Sequence, residues 1–434
     1  MKMKSRNTFW LPSLMMVALL VMTGIEIKAQ DWPQWRGPNR DGVSKETGLN
    51  LDWSASQPAL AWTFREAGFG YTAPAIVGTT LYSQGGSKGK DFAFALDVNT
   101  GKLKWKTELG AEFEQDRGNG PRGSVTVDGD KLYLIRGGGQ IHCLSVVDGK
   151  MRWQKDFKTD FGGKLMSGWG FSESPLLDGN LVICTPGGDD GTMIALDKNT
   201  GEVVGRSKEW TDPAGYSSAI VAEVGGIRQY IQQALKGVAG ISAKDGKLLW
   251  KIDYPPASRR PAAVIPSPIF NDNMVFVTNG YGNGCMGIRL AKEGEGIKAD
   301  TIYTGRVIEN QHGGVVLING YIYGYSERPS DSWVCLNIKT GEIVWSQSNK
   351  DAGIGKGSIL GVGNRLLLFD MQKGTLAVVA ASPDGWKEFG RMEIPERTKD
   401  DPSQDKCLWT HPVIANGKLY LRDQDLIFCF DLKK

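Results

Sequence analysis

Three cations (Arg122, Arg260 and Lys356), one carboxylate (Glu173) and a set of rings (Tyr71, Trp169, Tyr216, His312, Trp409 and His411) each stand just ahead of a short apolar run. Residues so placed would rim the axis of any ring built from those runs. Basic groups among flat aromatic faces suit a planar anionic ligand, whose charge they neutralise while the rings stack on it. The alternative is that these side chains bond to their neighbours and fill a narrow channel. Other chemistries have less to carry them. The chain has 3 His, His142, His312 and His411, without the H-x-x-x-H pair that would seat zinc. Gly137-Gly138-Gly139 and Gly187-Gly188 fall between strands rather than at a strand-to-helix turn, so they build no phosphate cradle. Gly-x-Ser patterns lack a nucleophile-elbow context. Asp97 and Asp197 open tight turns, whose amides they are expected to cap.

The elements that must position these residues repeat. Residues 95–105, Ala-Leu-Asp-Val-Asn-Thr-Gly-Lys-Leu-Lys-Trp, return at 143–153, at 195–205 without the Trp, at 240–250 and at 335–345, with a degenerate copy at 379–389. The turn glycines Gly101, Gly149, Gly201, Gly246, Gly341 and Gly385 recur at the roughly 40–50-residue period of four-stranded propeller blades. One interval is double, which predicts a diverged copy around 286–303. Ahead of each unit, two β-rich runs flank a tight turn such as Asp128-Gly129, Asp178-Gly179, Asn319-Gly320 or Asn416-Gly417, a strong hairpin signal. Each blade thus reads as strands A, B, C and D. Trp62, Trp105, Trp153, Trp250 and Trp345 on the D strands are expected to wedge between blades.

Blade starts near Ala73, Gly123, Ser174, Ser217, Pro266, Gly314, Gly357 and Pro412 give eight blades, the last without a D strand. The missing pattern lies at residues 59–64. The expected fold is therefore all-β: an eight-bladed β-propeller of four-stranded antiparallel blades over 59–434. An N-terminal strand completes the C-terminal blade and removes the open edges. The A-to-B and C-to-D turns are minimal, whereas the D-to-A loops (110–122, 157–171, 210–216, 254–264, 396–411) are long and varied. A site is expected on the D-to-A face, over the channel.

Composition sets the compartment. The chain has 434 residues with 57 Gly, 41% hydrophobic and 23% charged, ordinary for a globular protein apart from the glycine. Lys2, Lys4 and Arg6, an uncharged run over 9–25 and a small Ala29 read as an export signal over 1–29, followed by a leader over 30–58. The whole net charge of +3 resides in that signal, so the remainder balances to zero and lacks the basic surplus that nucleic acid requires. No later run is long and apolar enough to span a bilayer. Of the 6 Cys, Cys143, Cys335 and Cys429 share a repeat position with Ala95, Ala195 and Gly240, a small buried slot. Cys184, Cys285 and Cys407 leave one disulfide open.

At residues 95–105 the chain resembles the pyrroloquinoline-quinone (PQQ)-like repeat family, fitting its A-x-D-x-x-T-G-x-x-x-W docking motif in full. The leader Asp31-Trp32-Pro33-Gln34-Trp35-Arg36-Gly37-Pro38 is similar to the start of an exported bacterial subgroup. The resemblance implies an eight-bladed ring and divides over function. Quinoprotein alcohol dehydrogenases hold the quinone and calcium on the axis, cover the quinone with a disulfide between adjacent Cys and use an Asp base. Here no Cys are adjacent, no haem-attachment motif is present, and Glu173 is a calcium ligand by location alone. The other branch is the propeller subunit of the outer-membrane β-barrel assembly machinery, a scaffold whose lipobox Cys is missing here. These residues point to a non-catalytic binding or scaffold protein of the periplasm or extracellular space, with an envelope protein partner or a small anionic ligand. The competing expectation is a PQQ- and calcium-dependent periplasmic dehydrogenase acting on an alcohol or sugar.

Overall fold

The computed structural model describes residues 30–254, 263–399 and 403–433; the expected export signal and Arg260 lie outside them. Eight sheets each hold four antiparallel strands in the order A, B, C, D, and the seventh gains a fifth, parallel strand at its A edge. The A strands are Ala75–Val77, Thr126–Asp128, Leu176–Asp178, Ile220–Val224, Ile269–Asn271, Val315–Ile318, Gly357–Val362 and Val413–Ala415, and they number blades 1 to 8. Blade 8 takes its D strand from the other end of the chain. Ala59–Phe64 runs antiparallel to Leu426–Asp431, with Trp62 opposite Cys429 and Ala59 opposite Asp431. The ring closes as its sequence pattern predicts.

Inner strands are apolar on both faces because each blade is covered on both sides by its neighbours. The hydrophobic clusters accordingly lie in the seams, such as Tyr82, Ala93 and Ala95 against Leu132 and Leu134 between blades 1 and 2. The largest cluster joins blades 7, 8 and 1 and takes in Trp32 and Trp53 of the leader. Packing is thus heaviest where the two chain ends meet.

The docking tryptophans repeat one geometry. Trp62 Nε1 donates to Val98 O at 2.9 Å, Trp105 to Val146 O at 3.0 Å, Trp153 to Lys198 O at 3.1 Å and Trp345 to Ser382 O at 2.8 Å, each on the next blade. The ring lies on the next turn glycine: a Cβ at Gly149, whose φ is +70°, would come within 2.5 Å of Trp105. The diverged blade 5 keeps the device with a different ring, as Tyr303 donates to Ile338 O at 2.7 Å and covers Gly341. Trp250 departs from it. Its Nε1 donates at 2.6 Å to Gln229 Oε1 of its own blade, and the hairpin of the next blade, Gly284–Glu293 with Gly296–Gly305, is lengthened.

The slot reading of the cysteines is visible in the register. Cys143 pairs with Trp153, Cys335 with Trp345, and Ala95 with Trp105. All six thiols are free and buried, and Cys184, Cys285 and Cys407 belong to different parts of the ring. Burial pushes Cys143 up to about 11 and Cys285 up to about 12. A thiol reagent is expected to leave the native protein unlabelled and to label six sites in denaturant; rapid stoichiometric labelling of the native state would contradict this burial.

Among the described residues no helix is long and apolar enough to cross a membrane. The leader does something the sequence did not announce. Trp32 and Ile76 exchange backbone hydrogen bonds at 2.8 Å, Val127 N donates to Pro33 O, and Gly361 N donates to Gly42 O. Val43–Ser44 then pairs in parallel with Gly361 and Val362. Trp35 Nε1 donates to Ser267 Oγ at 3.0 Å, and Arg40 donates to Ser174 O at 2.9 Å and to Pro175 O at 3.1 Å. Residues 32–44 therefore thread the channel, touching the inner strands or their approaches in blades 1, 2, 3, 5 and 7, and stop it from the short-turn side.

Candidate functional site

With the channel stopped, its D-to-A mouth becomes a blind cavity of about 610 Å³. All eight blades line it, because every A strand starts at this face. Of the residues expected at the rim, Arg122, Trp169, His312, Lys356, Trp409 and His411 line it, together with Tyr71 and Tyr216. Also lining it are Trp35 and Arg36 from the leader and Arg117, Tyr281 and Glu327 from loops, none of which stands at the position just ahead of an A strand. The available signal was the density of Trp32, Trp35, Arg36 and Arg40 in a segment without strand periodicity.

Glu173 is the correction. It is buried in the seam between blades 3 and 4, away from the cavity. Its carboxylate accepts from Thr185 N at 2.6 Å, Thr185 Oγ1 at 2.7 Å and Gln232 Nε2 at 3.2 Å. Burial raises its pKa to about 7, against these hydrogen bonds and the charge of Arg40. These contacts tie Glu173 to blades 3 and 4.

The rest of the wall divides into an aromatic and a cationic part. His312 lies parallel to Trp409 with ring centroids 4.2 Å apart, and Tyr71 follows at 4.7 Å from Trp409. Trp35 meets His411 edge-on at 4.6 Å, and His411 Nε2 lies 2.7 Å from His312 O. Trp169 and Tyr216 stack at 5.8 Å. Burial holds His411 down at about 3 and His312 well below its usual value, so both are neutral at physiological pH. His312 Nδ1 and Trp409 Nε1 are buried without a hydrogen-bond partner.

Cations approach these rings in two states. Lys356 donates to Gln311 Oε1 at 2.7 Å and is paired with Glu327; Arg117 is paired with Asp405 at 2.8 Å. By contrast, among the described residues Arg122 donates to the carbonyls of Gly120 and Gly118, both at 2.6 Å, and to no carboxylate, with its guanidinium 4.8 Å from the Phe113 ring centroid. Arg36 likewise donates to Asp41 O at 2.8 Å and to Val315 O. Burial lowers both to about 10, which leaves them charged at neutral pH. Two buried guanidinium groups bonded to carbonyls give the cavity a positive surplus.

Calcium fits this wall poorly. Glu327 and Asp405 are each bound to a cation, Glu173 faces the seam, and Asp331 stands alone at the wall, accepting from Tyr325 Oη and from Asn349 Nδ2. Among the described residues no three His, Cys, Asp or Glu side chains gather as a metal site.

A family model described as outer membrane protein assembly factor BamB, of the PQQ-like repeat type, matches residues 94–347, more than half of the chain. The chain belongs to this family. Among solved structures, BamB from Moraxella catarrhalis superposes with a TM-score of 0.60 at 14% identity, over 87% of this chain and 98% of that one. Quinohemoprotein alcohol dehydrogenase from Comamonas testosteroni gives 0.61 at 13% identity, over 93% and 80%. At such identities the likeness shows the shared propeller alone. A tetrathionate hydrolase from Acidithiobacillus ferrooxidans is 25% identical over 255 residues, 54% of this chain. The match spans 47% of that relative's length.

Proposed function

We propose that this family member is an exported, non-catalytic binding protein of the cell envelope that holds a planar anionic ligand in its D-to-A mouth. The observation that carries this reading is the blind cavity in which Arg122 and Arg36 keep their charge bonded to carbonyls beside the stacked His312–Trp409 pair, with Tyr71 tilted against Trp409. Stacked faces take a flat molecule, and the guanidinium groups take its carboxylates or sulfonates. Trp169, Lys356 and His411 complete the wall. The dehydrogenase reading finds, among the described residues, no cluster of three carboxylate, imidazole or thiol groups to hold calcium. The BamB description of the family model supports a second use of the same face, as the surface presented to an envelope protein.

Calorimetric titration tests the first use. PQQ itself, a planar tricarboxylate, is expected to bind with or without calcium. Arg122→Gln is expected to weaken binding about 10- to 100-fold, the worth of a charge-assisted hydrogen bond. Tetrathionate, a sulfur oxyanion without a flat face, is expected to bind more weakly. Absence of PQQ binding would sink the proposal; calcium-dependent binding with reduction of an artificial electron acceptor would replace it with the dehydrogenase.

A further inference from the structure

The leader holds two buried arginines, and the fold treats them differently. Arg40 stands beside a buried carboxylate, Glu173, whose charge opposes its own. Arg36 has only the half-buried Asp41 of its own turn acting on it. Asp41 is partly open to solvent, which screens its charge, and it accepts from Val43 N at 3.0 Å. Both arginines adopt left-handed backbone, with φ of 60° and 57°, a conformation that costs a non-glycine residue roughly 1–2 kcal/mol and persists only where the surroundings hold it.

Arg36 is 4% exposed, lines the cavity, and spends both of its hydrogen bonds through Nη2. Its Nε is buried without a partner. Its Nη1 lies where a Cβ on Gly314 would meet it at 2.6 Å, with His411 Cε1 at 3.3 Å from the same point. Glycine at 314 therefore leaves room for the guanidinium beside the His411 and Trp35 rings. A buried cation short of a countercharge is costly, and an anion in the cavity would supply one.

We propose that the leader is part of the binding site: Arg36 fixes the anionic end of the ligand, and ligand binding and leader docking stabilise each other. This rests on the reading of the cavity as a site for a planar anion. Linkage makes the coupling reciprocal. A ligand that touches the docked leader raises the free energy of undocking, and an undocked leader leaves the site without its floor.

The test uses the full mature chain and PQQ as probe. Arg36→Gln is expected to weaken PQQ binding about 10- to 100-fold, with Arg36→Lys recovering part of the loss. Hydrogen exchange reads the coupling in the unaltered protein. Saturating PQQ is expected to slow exchange at Trp32 and Gly361, the amides that bond the leader to the channel, at least tenfold. Amides of the distant hairpin over 284–305 should not change. If PQQ binds while those two amides exchange unchanged, or if Arg36→Gln binds as tightly as the parent, the leader's role is refuted and the cavity reading stands. If the parent binds no PQQ, both fall. Should Arg36→Gln fail to fold, the exchange measurement on the parent decides.

Discussion

Arg422→Met is expected to be among the most destabilising single substitutions in the ring, by about 4–6 kcal/mol. The side chain is 1% exposed and rises from the B strand of blade 8 into blade 1. Its Nη1 donates to Thr72 O at 3.1 Å, to Ser83 Oγ at 3.1 Å and to Gln84 O at 2.8 Å. Its Nη2 donates to Ala67 O at 3.3 Å and Gly68 O at 2.9 Å, and its Nε to Gln424 O at 2.7 Å. One residue near the C-terminus thus satisfies carbonyls from the segment that follows the closing strand. Methionine keeps the stem but leaves those acceptors buried without donors, and each orphaned group costs about 1–3 kcal/mol. Chemical denaturation should show the loss as a lowered midpoint. Arg152→Met, which removes an exposed pairing with Asp130, should cost about 1 kcal/mol or less. Equal effects from the two substitutions would contradict the clasp.

The same contrast between periodic and singular features decides what could be read in advance. The blade count, the closing strand at Ala59–Phe64 and the cysteine slots all follow from a pattern that recurs. Packing between equivalent blades imposes equivalent residues, so each copy reports on the others. Tyr303 in place of a tryptophan was hidden because its blade has a lengthened hairpin, yet its position was fixed by the doubled interval. Trp250 was legible as a wedge, but its partner was not, since Gln229 is chosen by local geometry that no repeat encodes.

The cavity was half legible for a related reason. Residues ahead of A strands must approach the axis, which placed Arg122, Trp169, His312, Lys356, Trp409 and His411 near it. Side-chain direction there is set by irregular loops rather than by strand alternation, and Glu173 turns into the seam to meet Thr185 and Gln232. The leader was illegible as a plug because its side chains and its backbone bond to channel carbonyls and amides, partners that carry no sequence signature. Its function in the cavity is likewise carried by single residues, Trp35 and Arg36, with no second copy for comparison.

Trp62→Ala is the second large effect, expected at about 3 kcal/mol from lost burial and the space left behind. The indole bonds to Val98 O, covers Gly101, where a Cβ would stand 2.7 Å from its Cδ2, and lies 6.0 Å from Tyr420. Trp105 makes equivalent contacts one blade on, so Trp105→Ala should cost a similar amount. The difference lies in what the strand does. The strand bearing Trp105 is joined to its blade by a short turn, whereas Ala59–Phe64 is held to Leu426–Asp431 by noncovalent contacts alone. Loosening Trp62 therefore lets a whole edge strand leave, baring the unpaired backbone of its partner. Trp62→Ala should speed amide exchange along Leu426–Asp431 and open the exposed Arg65 to trypsin, while Trp105→Ala should do neither. If both variants leave that strand equally protected, the ring does not depend on the meeting of the chain ends.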